Sequence, residues 1–162
     1  MVDLKRIFIK GGILSPSELK HIIEYASSLG LKALHFGSRQ DIVFPEHVQN
    51  PEIDNQFTKL STSMISDTKF QNIVCSYVSA DIFLNTSWLN GATYLYILES
   101  FKYKPKLKIN ITDPKQQLVP LFNGQLNFIA SEHEDYWYLN LKLPNWEKTV
   151  YYPVLIYSWD IA

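Results

Sequence analysis

The chain has 162 residues, of which 46% are apolar and 14% aromatic, so it can bury a packed interior as one domain or as two small lobes sharing a core. Fifteen Lys and Arg residues and sixteen Asp and Glu residues give a formal net charge of −1. The chain therefore lacks the excess of basic residues that is typical of nonspecific duplex nucleic-acid binders. No run of about 18 apolar residues predicts a membrane span, and the opening residues hold no apolar segment of signal-peptide length.

The single cysteine, Cys75, limits the chemistry available to the chain. It excludes a disulfide within the chain. It also excludes a cysteine-ligated zinc site or iron–sulfur cluster made by this chain alone, since both need several thiolates. We expect a small apolar core residue at this position and a cytoplasmic protein, because a lone thiol fits a reducing compartment.

The first 44 residues predict a strand, a helix and two further strands. Residues 4–9 read as a short strand, and the paired glycines after Lys10 as a turn. Ser15 begins a Ser-x-x-Glu capping box with Pro16 at the first helical position, and Gly30 ends the helix. Strands are expected over 31–36 and 40–44, joined by a tight Gly37-Ser38 turn. This order is half of a ferredoxin-like unit.

The remaining residues predict a second α+β region with a mainly antiparallel sheet. Two loops or a broken helix are expected over 45–70, an extended segment over 70–78, and a helix over 86–100 capped by Asn85 or Thr86. Alternating or apolar runs predict strands over 106–111, 126–131, 136–143 and 150–159, the last at an edge or bent by Pro153. This last predicted strand ends near the end of the sequence, as it would also do if the chain were a piece of a longer protein. We therefore predict an α+β fold with domains at 1–50 and 51–162.

Catalytic motifs are scarce. The sequence contains no Gly-x-Ser-x-Gly elbow, P-loop or dinucleotide-binding glycine pattern, and its four histidines lie in separate segments. His35 is expected to point inward as a structural residue, and the Glu132–Asp135 run to be a solvated hairpin tip. The remaining candidates for a functional role are positively charged residues on predicted strands. Arg39 opens one strand, while Lys106 and Lys108 lie two apart on another and so share a face that attracts an anion.

Three segments, in order, resemble a known family. GGILSPSELKHIIEYASSLGLKALHFGSRQDIVF is similar to the ferredoxin-like half-domain of sulfite and nitrite reductases, with its Ser-Arg-Gln turn. NIVCSYV resembles the Asn-Val-x-Cys segment of that family, and PKLKINITDPKQQLVPLFNGQLNFIAS its Lys-Phe-Lys strand and the strand that follows. The resemblance also extends to the amino-terminal part of longer bacterial proteins that carry a rubredoxin domain.

The resemblance implies a site for sirohaem coupled to a 4Fe-4S cluster, used to reduce sulfite or nitrite. By position it implies binding roles for Arg39, Gln40, Lys106 and Lys108, and it places Gln71 where the family has a further arginine. The cluster cysteines and the second copy of the module are missing, so the chain alone should be inactive as a reductase. It would need the remainder of a longer chain or a second copy, together with an electron-donor protein.

Two other functions fit the sequence. The first is a noncatalytic scaffold or interaction domain of a redox protein, of the rubredoxin type, whose cofactor site has decayed, as the uncharged Gln71 suggests. The second is single-stranded nucleic-acid binding through aromatic strands, although the near-neutral charge argues against it. The aromatic residues concerned are Tyr136, Tyr138, Tyr151 and Tyr152.

Overall fold

The computed structural model describes residues 4–44, 55, 59, 69–83, 87–116 and 118–162. The chain forms two compact units, Met1–Gln71 and Asn72–Ala162. The domain boundary expected at residue 50 lies outside the described residues. Both units combine helices with sheets, which confirms the predicted α+β class. Within the described part of the chain, no helix is long and apolar enough to cross a bilayer.

The first unit places one helix beside a three-stranded antiparallel sheet. Its strands are β1 (Lys5–Phe8), β2 (His35–Phe36) and β3 (Asp41–Phe44), in the order β1-β3-β2, and a 3-10 turn at Lys10–Gly12 leads to helix α1 (Pro16–Ser28). The predicted capping box is present, because Ser15 Oγ accepts a hydrogen bond from the Glu18 amide while Glu18 accepts from the Ser15 amide. Ile22, Ala26 and Leu29 then pack on Ile42 and Phe44.

Two predictions in the first unit are wrong. The second strand covers His35–Phe36 rather than 31–36, and His35 is exposed rather than inward. β2 is only two residues long at the edge of the sheet, and no described element covers either of its side chains.

The second unit is built on a mixed six-stranded sheet. Its strands are β4 (Ile73–Cys75), β5 (Ile109–Thr112), β6 (Leu126–Ala130), β7 (Tyr136–Leu141), β8 (Val150–Tyr151) and β9 (Ile156–Tyr157). The pairs β4-β5 and β5-β6 are parallel, whereas β7 is antiparallel to β6, β8 and β9. The sheet is therefore antiparallel at three of its five pairings, and parallel over the half that begins at β4.

One face of this sheet carries the apolar core. Residues Ile73, Cys75, Ile111, Phe128 and Trp137 pack against helix α3 (Gly91–Ser100) through Tyr94, Ile97 and Leu98. The Trp137 indole donates to Ser158 Oγ at 2.9 Å, so its polar atom is satisfied inside the core. Burial raises the pKa of the Cys75 thiol to about 12, which fits the core role expected for it.

The other face carries a row of buried asparagines. Asn110, Asn127 and Asn140 are direct neighbours on β5, β6 and β7. The Asn110 amide donates to the Pro120 carbonyl at 3.0 Å, and Asn127 both donates to and accepts from the backbone of Gly124. These bonds hold the connection between the two parallel strands on the sheet.

Several predicted boundaries in this unit are also wrong. The extended segment 70–78 ends at Cys75, and residues 77–82 form helix α2 (Tyr77–Ile82). Helix α3 begins at Gly91 after the N-cap Asn90, whose side chain accepts from the Thr93 amide, whereas the predicted caps Asn85 and Thr86 lie outside the described residues. The last predicted strand is two short strands, β8 and β9, separated by a bend that contains Pro153.

Candidate functional site

The first unit positions Arg39 and Gln40 in the loop between β2 and β3. The Gly37 amide donates to the Asp41 carbonyl at 2.8 Å and the Gln40 amide to the Gly37 carbonyl at 3.0 Å, which closes the loop. Gln40 has a φ of 52°, in the left-handed region, and its side chain lies against Gly12. Arg39 is 7% exposed. Burial lowers the pKa of its guanidinium to about 10, against the opposing effect of the Asp41 carboxylate.

Asp41 supplies a negative charge to this loop that the sequence analysis did not identify. Its side chain is fully buried, and Oδ2 lies 3.3 Å from Nε of the half-exposed Arg6 on β1. Gly37 makes room for the carboxylate, since a Cβ on Gly37 would lie 2.2 Å from Asp41 Oδ1. A buried carboxylate beside Arg39 competes with any external anion for that cation.

The other predicted binding residues are distributed over both units. Gln71 ends the first unit and is fully buried. Lys106 and Lys108 belong to the second unit and are exposed, and both precede β5, which begins at Ile109 and not at residue 106 as predicted. The Lys108 carbonyl accepts from the Leu126 amide at 3.0 Å, whereas the Lys108 amide donates to the Gln125 side chain at 2.9 Å. The convergence of Arg39 with the two lysines stays a prediction.

The described residues do not fit an iron–sulfur cluster. They include no group of three or more His, Cys, Asp or Glu side chains arranged to hold a metal ion. Cys75, the one thiol of the chain, is fully buried and its raised pKa disfavours the thiolate that a cluster requires.

A cleft of about 510 Å³ opens where β5 and β6 end in the second unit. The carboxyl ends of parallel strands are a common location for ligand sites. Here, however, the polar groups are engaged in holding the fold: Asp113 Oδ2 accepts from the Ser87 amide at 2.6 Å, and the Trp88 indole donates to the Ser131 carbonyl at 2.8 Å. The rim carries a hydrogen bond of 2.7 Å from Tyr138 Oη to Glu132, which lowers the pKa of the Glu132 carboxyl.

The most distinctive surface of the second unit is a row of four exposed rings, which we call the aromatic strip: Tyr96, Trp159, Tyr157 and Tyr136. Successive ring centroids are 4.8, 5.1 and 5.3 Å apart. The rings of Tyr157 and Trp159 are stacked within 16° of parallel, and the outer two are tilted. Every ring keeps between 38% and 54% of its surface exposed.

Four backbone elements hold the strip in place. Tyr136 and Tyr157 are paired residues on the antiparallel strands β7 and β9, so their side chains leave the same face of the sheet. Trp159 lies in the 3-10 helix Ser158–Asp160, and the Ser158 amide donates to the Asp135 carbonyl at 2.9 Å. Tyr96 joins the strip from helix α3. Two of the rings are therefore positioned by strand pairing, and the other two by the 3-10 helix and by α3.

The segments that carry the strip are rich in carboxylates. Residues 132–141 and 156–162 contain four carboxylates and no Lys or Arg, and α3 adds one more, Glu99, as its one charged residue. Glu99 lies three residues after Tyr96, so the two share a helix face. Glu99 and Asp160 are exposed.

Tyr136 was expected from the sequence to be one of several tyrosines able to stack bases, but the strip itself was not predicted. Tyr157 and Trp159 are separated by one residue at the end of a run that was assigned to a single apolar strand. Tyr96 was assigned to a helix far away in sequence. An apolar terminal run with aromatic residues at alternate positions is the one local signal that pointed to this surface.

No protein-family model matches the chain, and no curated protein or solved structure matches it. The resemblance to sulfite and nitrite reductases, and the sirohaem site it implies, therefore stay predictions from sequence motifs.

Proposed function

We propose that this chain is a protein-interaction domain that docks a partner on the aromatic strip of its second unit. The proposal depends on one observation: Tyr96, Trp159, Tyr157 and Tyr136 form an unbroken row of exposed rings. Tyr and Trp dominate the energetic centres of protein interfaces, because they bury much area and lose little conformational freedom.

The order of the strip supports a binding role over a purely packing one. The apolar core of the second unit includes none of the four rings, and Trp137, which follows Tyr136 on β7, is fully buried within it. The rings of the strip contact each other, and about half of their surface remains exposed to water. Exposed apolar area of this kind is a marker of interaction surfaces. Because neighbouring rings fix each other, a partner would order few side chains on binding.

The chemistry of the other candidate residues also favours binding over catalysis. The thiol of Cys75 is buried, and the Asp41 carboxylate lies beside Arg6 and Arg39, which reduces the attraction of these cations for an oxyanion. The described residues thus offer few groups suited to catalysis, whereas the surface of the second unit offers a preformed contact area.

The experiment is a selection of random 12-residue peptides displayed on phage against the full chain, followed by affinity measurement on the enriched peptides. We expect Trp159→Ala to weaken their binding about thirtyfold, the effect of a residue worth about 2 kcal/mol. Tyr151→Ala is the matched control, since Tyr151 is 65% exposed and belongs to no ring pair with the strip. Equal binding by Trp159→Ala and the unmodified chain would show that the strip is not the docking surface.

A further inference from the structure

We infer that the segment docked on the aromatic strip is cationic, an Arg- or Lys-containing stretch of a partner protein. This inference rests on the proposed docking function and specifies the chemistry of the partner. Two properties of the same surface lead to it, the exposed ring faces and the surrounding carboxylates.

The rings supply the first attraction. The face of an aromatic ring carries partial negative charge, and a guanidinium or ammonium group within about 6 Å of the ring centre is drawn to it. Trp is the best such partner and Tyr also serves. Trp159 is 54% exposed, more than any other ring of the strip, and Tyr157 lies beside it at 5.1 Å. A planar guanidinium also stacks on such rings, which favours Arg over Lys.

The carboxylates supply the second attraction. Asp160 directly follows Trp159, Asp135 directly precedes Tyr136, and Glu99 shares the helix face of Tyr96. Each end of the strip and its most exposed ring are thus accompanied by an acidic residue. Asp135 Oδ1 also accepts from Ser158 Oγ at 3.4 Å, so the exposed carboxylates of Glu99 and Asp160 are the ones that would attract a cation held over the rings.

The same charges disfavour other occupants. A nucleic acid would bring phosphates against the carboxylates. A second copy bound through the same strip would bring one acidic surface against another. An uncharged peptide would bury carboxylates with no ion to compensate them, which is costly. A cationic segment is the occupant whose charge complements the surface.

The experiment compares three synthetic peptides of one sequence, (Gly-Ser-X)4, in which X is arginine, the neutral isostere citrulline, or glutamate. Binding to the full chain is measured by calorimetry and by the indole N–H resonance of Trp159. We expect the arginine peptide to bind at least tenfold more tightly than the citrulline peptide, and the glutamate peptide not to bind. Raising the salt concentration from 50 to 300 mM should weaken the arginine peptide severalfold.

Variants of the chain separate this charge effect from general attraction of a cation to any acidic protein. Asp160→Asn and Glu99→Gln should each weaken the arginine peptide about threefold or more, and Trp159→Ala at least tenfold. Glu147→Gln is the control, since Glu147 is exposed on the loop before β8 and should leave binding unchanged. Equal losses from Glu147→Gln and Asp160→Asn would overturn the inference.

The outcomes distinguish this inference from the proposed function. Equal binding of the citrulline and arginine peptides, with loss of both in Trp159→Ala, would overturn the cationic partner and leave the docking surface standing. Phage-selected peptides that lack Arg and Lys but need Trp159 would do the same. Self-association of the chain that Trp159→Ala abolishes, measured by sedimentation, would identify a second copy as the occupant and overturn the inference.

Discussion

Replacing Gly37 by Ala tests how tightly the buried carboxylate of Asp41 is held in the first unit. Gly37 does not have a positive φ, so alanine fits its backbone conformation. The obstacle is steric. The three heavy atoms nearest to an added Cβ all belong to the Asp41 carboxyl group, with Oδ1 at 2.2 Å and Cγ at 2.9 Å. Alanine must therefore displace a carboxylate that is fully buried and paired with Arg6.

The size of the expected loss in the free energy of unfolding follows from these contacts. Overpacking of a buried site costs about 1–3 kcal/mol, and disturbing a buried ion pair adds to this, although less than usual because the Arg6 side chain is 45% exposed. We expect Gly37→Ala to lower the free energy of unfolding by about 2–3 kcal/mol. In an Asp41→Ala background the obstructing atoms are gone. The same substitution should then stabilise the fold by about 0.4–1 kcal/mol, because alanine lowers the conformational entropy of the unfolded chain. The coupling energy between the two sites is then about 3 kcal/mol.

Urea unfolding followed by far-UV circular dichroism, with hydrogen exchange of the β1 and β3 amides, measures both terms of this cycle. Gly30→Ala is the control: Gly30 has a φ of 79° and no atom within 4 Å of an added Cβ. Its substitution should cost about 1 kcal/mol in either background, because the cost is one of backbone conformation. A Gly37→Ala cost that is the same with and without Asp41→Ala would refute the steric argument.

Four further predictions concern separate features. Cys75 should resist thiol reagents at pH 8 in the folded chain and react after urea unfolding, because burial raises its pKa to about 12; labelling followed by mass spectrometry would show fast native reaction if this is wrong. Ser15→Ala should cost about 1 kcal/mol by removing the cap of α1. Hydrogen bonds from Lys69 and Ser15 lower the pKa of Glu18 to about 2, so its contribution to stability is present above the unfolded pKa and is lost as the pH falls from about 4.5 towards 2. Lys69→Met should raise that pKa, as carboxyl NMR titration would report. Sulfate or sirohaem titration of the chain and of Arg39→Ala tests the anion role that the reductase resemblance implies; equal binding by both would remove it.

The site could be predicted from sequence only in part. Arg39 and Gln40 were identified by a turn motif, and a turn is set by residues close in the chain, as the loop from Gly37 to Asp41 confirms. Asp41 was passed over as a strand residue, since nothing local shows that its carboxyl is buried beside Arg6 on another strand. Lys108 was placed on a strand by alternation, but its amide is bonded to a side chain far along the chain.

The sequence by itself determined the elements whose stabilising contacts are local. The capping box of α1 depends on residues three positions apart, and its hydrogen bonds need no contact from elsewhere in the fold. The alternation over 136–143 likewise predicted a strand, observed over Tyr136–Leu141, although its pairing partners come from other segments. Only the tertiary structure decided the aromatic strip. Tyr96 meets Trp159, and Tyr136 meets Tyr157, through helix packing and antiparallel register. Those contacts join distant segments, so their geometry arises from the folded sheet and not from neighbouring residues.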